Sequence, residues 1–426
     1  MQAIKIKTMI AVLLAAVLVL PAGIIGQAAD RHWVGAWGAS PHAAIHMPGT
    51  PAVADYENQT IRMVVRPSIG GEQLRIRFSN AFGAKALKIG AAHVALIEQG
   101  SKIVADSDRV LTFGGLKTIA VPPGAPALSD PVDLKIPAFA ELAVSIFLPE
   151  KTKPNTTHLL GQHETYIGGP GDLTAAAEIA NAATSHSWYW LSGVEIWVPK
   201  NTASIITLGD SITDGFGVKA GEYLDWPDQL AKRLAVGTDT TNLAVVNEGI
   251  GGNRILHDGM GVSTLARFDR DVLATPGVRT LLFLEGVNDL GWPHMKPPKG
   301  MDLSKIKMPD FAAEDVVAAD LIYGMMQIID RAHEHGIKIV GATILPYEGS
   351  DYFSDKGEAT RQVVNQWIRT GSTFDGVVDF DAVVRDPAHP TRFRNGLQSG
   401  DFLHPNAAGY KAMADAIDLL LLKPAE

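Results

Sequence analysis

The sequence predicts an α/β fold: a five-stranded parallel sheet flanked by helices, preceded by an all-β sandwich. Two observations carry this reading. Up to about Pro199, short runs of alternating apolar and polar residues are separated by Pro, Gly and Asp. After about Asn201, apolar strands alternate with helix-like segments through five rounds. Strand–helix alternation implies a parallel sheet covered on both faces. Many short strands without a long amphipathic helix suggest a sandwich, jelly-roll-like in type. The expected organisation is a leader at 1–28, a β-sandwich accessory domain at 30–199 and an α/β domain at 201–424.

The leader is read from its three regions. Lys5 and Lys7 precede the run MIAVLLAAVLVLPAGIIG, and Gly26-Gln27-Ala28 offers small residues at both recognition positions of a signal peptidase. Pro21 and Gly23 interrupt the run, leaving it short of the ~20 residues of a spanning helix. Cleavage and export are therefore expected, to the periplasm or the medium, with no stable membrane insertion afterwards. Removing the leader leaves 426 − 28 = 398 residues, comfortable for two cores. The absence of cysteine excludes disulfides, thiol nucleophiles and thiolate metal sites. A net charge of −9 without a basic block argues against nucleic acid as a partner.

In the first half, TIRMVVRPSIGGEQLRIRFSNAFG alternates on both sides of Gly70-Gly71, with Ile61, Met63 and Val65 before the pair and Leu74, Ile76 and Phe78 after it. Period-two alternation around a Gly pair predicts a hairpin with one buried face. Further strands are expected in ALKIGAAHVALI, KTIAVPP, VDLKIP and LAVSIFLP. Trp188, Tyr189 and Trp190 form an aromatic knot near the end of this half, better read as a buried interdomain seam than as a sugar-stacking platform.

In the second half the strands are SIITLG, LAVVNEG, RTLLFLEG, IKIVGATIL and GVVDFD. The helix-like segments between and after them include YLDWPDQLAKRLAV, STLARFDRDVLA, GEATRQVVNQWIRTG and PNAAGYKAMADAIDLLLL. A further segment carries Val316, Val317, Leu321, Met325, Ile328 and Ile329 at helical spacing and ends before Gly336, a fitting C-terminal cap. Ligands on such sheets sit beyond the carboxyl ends of the strands. Those ends deliver Gly209-Asp210-Ser211, then Asn247-Glu248-Gly249-Ile250-Gly251-Gly252-Asn253, then Glu285-Gly286-Val287-Asn288-Asp289, and a late loop carries Asp401-Phe402-Leu403-His404-Pro405.

Acyl transfer requires this set of groups. A serine hydroxyl attacks well only when a base takes its proton. His404 is suited to that, because imidazole titrates near neutrality. Asp401, three residues earlier, can reach the ring's other nitrogen and orient it. The oxyanion formed by attack needs preplaced donors, and the backbone N–H of Ser211, the backbone N–H of Gly252 and the side-chain amide of Asn288 are available. Each motif alone has an ordinary explanation as a turn or cap. All of them in order, each following its own strand, do not.

These segments resemble the four sequence blocks of the SGNH (GDSL-type) hydrolases, in GDSIT, NEGIGGN, GVND and DFLHP. The resemblance covers the second half and implies a flavodoxin-like strand order. It also implies Ser211 as nucleophile, Gly252 and Asn288 as oxyanion donors, His404 as base and Asp401 as orienting acid. Gly251 stands where the family commonly has serine, which keeps Gly251 as the fallback donor. The first half, with WVGAWGASP, IRFSNAFG and SWYWLSGVE, looks like the β-rich extension of a subset that includes xylan-associated acetylesterases and acylhydrolases. The resemblance implies a carboxylic ester hydrolase without metal or organic cofactor. Its expected substrate is a small ester or an acetylated carbohydrate.

Competing patterns are weaker. Thr213 stands where the G-x-S-x-G elbow requires glycine. Ser304 and Lys307 form an SxxK pair without its companion motifs, and HEHG at 333–336 lacks the second histidine of a metalloprotease helix. His257 and His294 could line the cleft or lie on the surface, and Arg254 could approach it or form a structural salt bridge. Asp210 is expected to organise the nucleophile loop rather than to serve as the triad acid. The alternatives in function are a lipase or lysophospholipase acting on longer chains, and a catalytically silent carbohydrate-binding protein.

Overall fold

The computed structural model describes residues 30–45, 54–295 and 311–423. The expected leader at 1–28 and the Ser304/Lys307 pair lie outside the described residues. Among those described, no helix is long and apolar enough to cross a membrane.

The first half is built of antiparallel sheets. In one, Leu191–Pro199 and Val132–Ile136 pair with Gly71–Ser79, as does Pro126–Leu128. In another, Leu142–Leu148 pairs on one side with Gln59–Val65 and on the other with Ala91–Gln99. Apolar residues from both sheets meet in one core that includes Ile61, Met63, Leu74, Ile76, Val144 and Val194.

The expected hairpin around Gly70-Gly71 does not form. Gln59–Val65 and Gly71–Ser79 lie in different sheets, each paired with strands distant in sequence. The alternation is realised in Gly71–Ser79, where Leu74, Ile76 and Phe78 are fully buried and Arg75 and Arg77 between them are not. In Gln59–Val65 the intervening Thr60, Arg62 and Val64 are as fully buried as Ile61 and Met63, because that strand is covered on both faces. Alternation specifies which face of a strand is inward, and it is equally satisfied by strands facing each other across a sandwich. The connection turns where a Cβ on Gly70 would stand 2.4 Å from the carbonyl oxygen of Ile136.

The second half is a parallel sheet of Ala203–Gly209, Leu243–Gly249, Val278–Leu284, Lys338–Ala342 and Gly376–Val378. Counted in chain order, these five lie side by side as 2-1-3-4-5, the flavodoxin-like order. All seven residues of Ala203–Gly209 are buried, as a strand flanked by neighbours and covered on both faces requires. Leu321, Met325, Ile328 and Ile329 of the helix Ala318–Glu334 pack into the same core. Val316 and Val317 differ from their expected place: both precede the helix, Val316 buried in the core and Val317 51% exposed. Gly336, just beyond the helix, has φ +65°, the left-handed conformation that favours glycine there.

The halves meet along the edge strand Leu243–Gly249. Ser68 of the first half accepts from the N–H of Val245 at 2.8 Å and donates to its carbonyl at 3.0 Å. Ala244 belongs to the sandwich core, and Ser40 Oγ donates to Glu248 Oε2 at 2.5 Å. The sandwich thus takes up hydrogen-bonding groups that an edge strand leaves unpaired.

Candidate active site

The register of the parallel sheet sets the site. Gly209 is paired with Gly249 on one side and with Leu284 on the other, so three strand ends are level. Gly209 has a steric reason to be glycine, since a Cβ there would stand 2.3 Å from the carbonyl oxygen of Leu284. The chain then turns into the short helix Ser211–Asp214, with Asp210 as its N-cap accepting from the N–H of Ile212 at 2.9 Å. Asp210 therefore organises the loop, as expected. Burial, with Asp289 and Asp214 nearby, pushes its carboxyl up to about 7.

Ser211 and His404, 193 positions apart, are joined by a hydrogen bond of 2.8 Å between Oγ and Nε2. The other ring nitrogen, Nδ1, lies 2.6 Å from Asp401 Oδ2. Asp401 Oδ1 accepts from the N–H groups of Leu403 and His404, each at 2.9 Å. Burial would raise this carboxyl, but the hydrogen bonds from His404 and Leu403 prevail and hold it well below the usual carboxylate range. With Asp401 charged, Nδ1 carries the proton and Nε2 is left to accept from the serine. The loop is free to do this because Asn406 caps the last helix, accepting from Ala408 and Gly409 at 3.0 Å each.

The expected oxyanion donors converge on the same place. A cavity of about 320 Å³ is lined by Ser211, Gly252, Asn288 and His404. Asn288 Nδ2 donates to the carbonyl of Asn253 at 2.8 Å, and its Oδ1 accepts from Trp292 Nε1 at 3.1 Å. Those contacts fix the amide orientation and leave its second N–H to point elsewhere. Of the two glycines, Gly251 already donates its N–H to Asp214 Oδ2 at 2.9 Å, which favours Gly252. At Gly252 φ is +70°, and a Cβ would lie 2.8 Å from Met260 Sδ and 2.9 Å from the ring of Trp292.

Other groups at the site were not legible from sequence. Phe216 packs its ring on His404 at 4.2 Å between centroids. His42, Leu159 and Leu160 line the cavity from the sandwich half. His42 Nε2 accepts from the N–H of Leu159 at 3.0 Å while Nδ1 lies 2.7 Å from the carbonyl of Ala43. Burial, with His158 nearby, lowers its pKa to about 4, which matches a neutral ring with one donor and one acceptor. His158 is the opposite case. Burial alone would lower its pKa, but Asp214, Ser40 and Glu248 act against burial and the net shift is upward.

The remaining sequence candidates fall away from the chemistry. Trp188, Tyr189 and Trp190 are 6%, 3% and 2% exposed and belong to the core of the sandwich, which makes them part of its interior rather than a platform or an interdomain seam. Arg254 pairs with Glu314 at 2.7 Å. His294 lies 3.2 Å from Asp315, and neither it nor His257 lines the cavity. His333 is at an exposed helix end beside Asp375. Among the described residues, no group of three His, Cys, Asp or Glu is placed to hold a metal ion.

Residues 207–412 match the GDSL-like Lipase/Acylhydrolase family. No curated protein matches the chain. Among solved structures, the aryl esterase of M. smegmatis is 14% identical, covering 53% of this chain and 100% of its own, with a TM-score of 0.40. The acetylxylan esterase Axe2 of Geobacillus stearothermophilus is 20% identical over 51% of this chain and 94% of its own, with a TM-score of 0.37. A lipolytic protein of the G-D-S-L family from Veillonella parvula is 17% identical over 50% and 96%, with a TM-score of 0.34.

Proposed function

We propose that this carboxylic ester hydrolase, whose residues 207–412 match the GDSL-like Lipase/Acylhydrolase family, is an exported serine esterase that removes short acyl groups, acetyl foremost, from oxygen esters of carbohydrates. The observation that carries the mechanism is the chain of hydrogen bonds from Ser211 through His404 to Asp401. Ser211 Oγ attacks the ester carbonyl as His404 Nε2 takes its proton. Asp401 holds the imidazolium that forms. The N–H groups of Ser211 and Gly252 and the amide of Asn288 receive the oxyanion. Collapse expels the alcohol, protonated by His404, and leaves an acyl-serine. Water, deprotonated by the same ring, then releases the acid.

The proposal keeps residues 30–199 as an accessory domain and 201–424 as the catalytic one. Export rests on the leader residues Lys5 to Ala28, and the acetyl preference on the β-rich extension. The deciding experiment compares acetate release from acetylated polysaccharides with hydrolysis of phospholipid, using wild type and Ser211→Ala. Preference for acyl chains of eight carbons or more would overturn the acetyl assignment in favour of a lipase. Hydrolysis undiminished in Ser211→Ala would remove the nucleophile.

A further inference from the structure

The cavity over Ser211 has walls from both halves of the chain, and the mechanism uses only one of them. His42, Leu159 and Leu160 form the other. Both leucines are only partly buried. Leucine side chains facing an open cavity remain partly hydrated, a cost that an apolar ligand group would relieve.

The short segment that carries them is tied to the nucleophile at both ends. At its start, His158 Nδ1 lies 2.9 Å from the carbonyl oxygen of Ser40 and Nε2 lies 3.0 Å from Asp214 Oδ1. Both partners are acceptors, so the ring donates from both nitrogens and is an imidazolium. At the other end, Gln162 Nε2 donates to the carbonyl of Asp214 at 2.7 Å. Asp214 is the last residue of the helix that begins at Ser211. Between the clamps, Leu159 N–H donates to His42 and Gly161 N–H to the carbonyl of His186 at 2.7 Å. The backbone of Leu159 and Leu160 is thereby held in register with Ser211 through one shared residue, in the way a specificity wall needs.

We propose that Leu159 and Leu160 are specificity-determining residues: the sandwich half supplies, on a segment clamped to Asp214, the apolar wall that limits the length of the ester group seated over Ser211. This rests on the reading of Ser211 as an ester-attacking nucleophile. It goes beyond that reading by assigning substrate selection to the half of the chain that holds no reacting atom. Removing the two isobutyl groups should deepen the cavity and admit longer chains. Adding volume should do the reverse.

The test uses the full-length protein and two ester panels, one lengthening the acyl group on a constant p-nitrophenol, the other lengthening the alcohol of an acetate. Rates are normalised to active sites counted by fluorophosphonate labelling of Ser211. In Leu159→Ala/Leu160→Ala, the ratio of kcat/KM for the longest to the shortest ester should rise on the order of tenfold in one panel. Leu160→Trp should lower the same ratio, and it reads the same wall if the double variant does not fold. Length profiles that superimpose on wild type in both panels overturn the inference. Failure of the underlying reading looks different: Ser211→Ala would then hydrolyse the panel as fast as wild type, whatever the leucine variants do.

Discussion

The parallel sheet and the antiparallel sandwich contribute to one cavity by opposite routes. In the parallel sheet every strand points the same way, so the residues just beyond Gly209, Gly249 and Leu284 emerge together. Sequence order then translates directly into a site. In the sandwich the strands run in alternation, and loops are divided between two ends. His42 and the segment from His158 to Gln162 reach the cavity from pieces of chain more than a hundred residues apart, and no strand-end rule marks them. Chemistry is concentrated where topology gathers loops. The surrounding wall is recruited from wherever the second half happens to dock.

The most severe break of this comparison is Ser211→Ala. It should cost about 10⁴- to 10⁶-fold in kcat while leaving circular dichroism and Tm near wild type, measured with a chromogenic acetate. Asn288→Ala comes next, with a loss of about 10²–10³ in kcat from one missing oxyanion donor. A change confined to KM would show that Asn288 only binds substrate.

On the sandwich side, the expected effects are on stability. His42 has its pKa lowered from 6.5 to about 4 in the folded protein, so between those values the unfolded chain binds more protons. Stability should therefore fall as pH drops from about 6.5 to about 4, by about 3 kcal/mol from this residue. His42→Gln cannot titrate, and its denaturant-unfolding free energy should lose correspondingly less between pH 7 and pH 4.5. An acid limb as steep as that of wild type would contradict the neutral ring assigned to His42.

Smallest is the seam itself. Ser68→Ala leaves the buried N–H of Val245 without its partner, at a cost of about 2 kcal/mol, read as a lower denaturant midpoint. Unfolding should remain a single transition, because the edge strand shares its hydrogen bonds and Ala244 with the sandwich. Two resolved transitions in the variant would show that the halves fold independently.

Much of the second half was legible because its signals are local. The strand Leu243–Gly249 is the run LAVVNEG itself. Ser211, Gly252 and Asn288 each come within a few residues of a strand whose period can be read, whereas Asp401 and His404 lie in the long loop after the short helix Phe380–Val384, where only the motif marked them. The structure brings all five to one cavity or its immediate rim. The sandwich was legible one strand at a time only. Leu74, Ile76 and Phe78 point inward in alternation as expected, while Arg62 and Val64 are buried along with Ile61 and Met63, and pairing depends on partners such as Leu142–Leu148 and Leu191–Pro199, far along the chain. A Gly pair between two alternating runs looks the same whether the chain folds back beside itself or crosses to a facing sheet. The choice between Gly251 and Gly252 likewise waited on Asp214, whose carboxylate occupies one of the two N–H groups.

By itself the sequence determined the strand–helix order of the second half, the inward residues of strands such as Gly71–Ser79 in the first, and the candidates for the reacting groups, because periodicity and motif spacing act over a few residues. Only the tertiary structure decided how the sandwich strands pair, which of the two glycine N–H groups Asp214 occupies, and that Leu159 and Leu160 line the same cavity as Ser211. Those outcomes depend on contacts between segments a hundred or more positions apart. There the energy lies in packing and in shared hydrogen bonds, and no local pattern records it.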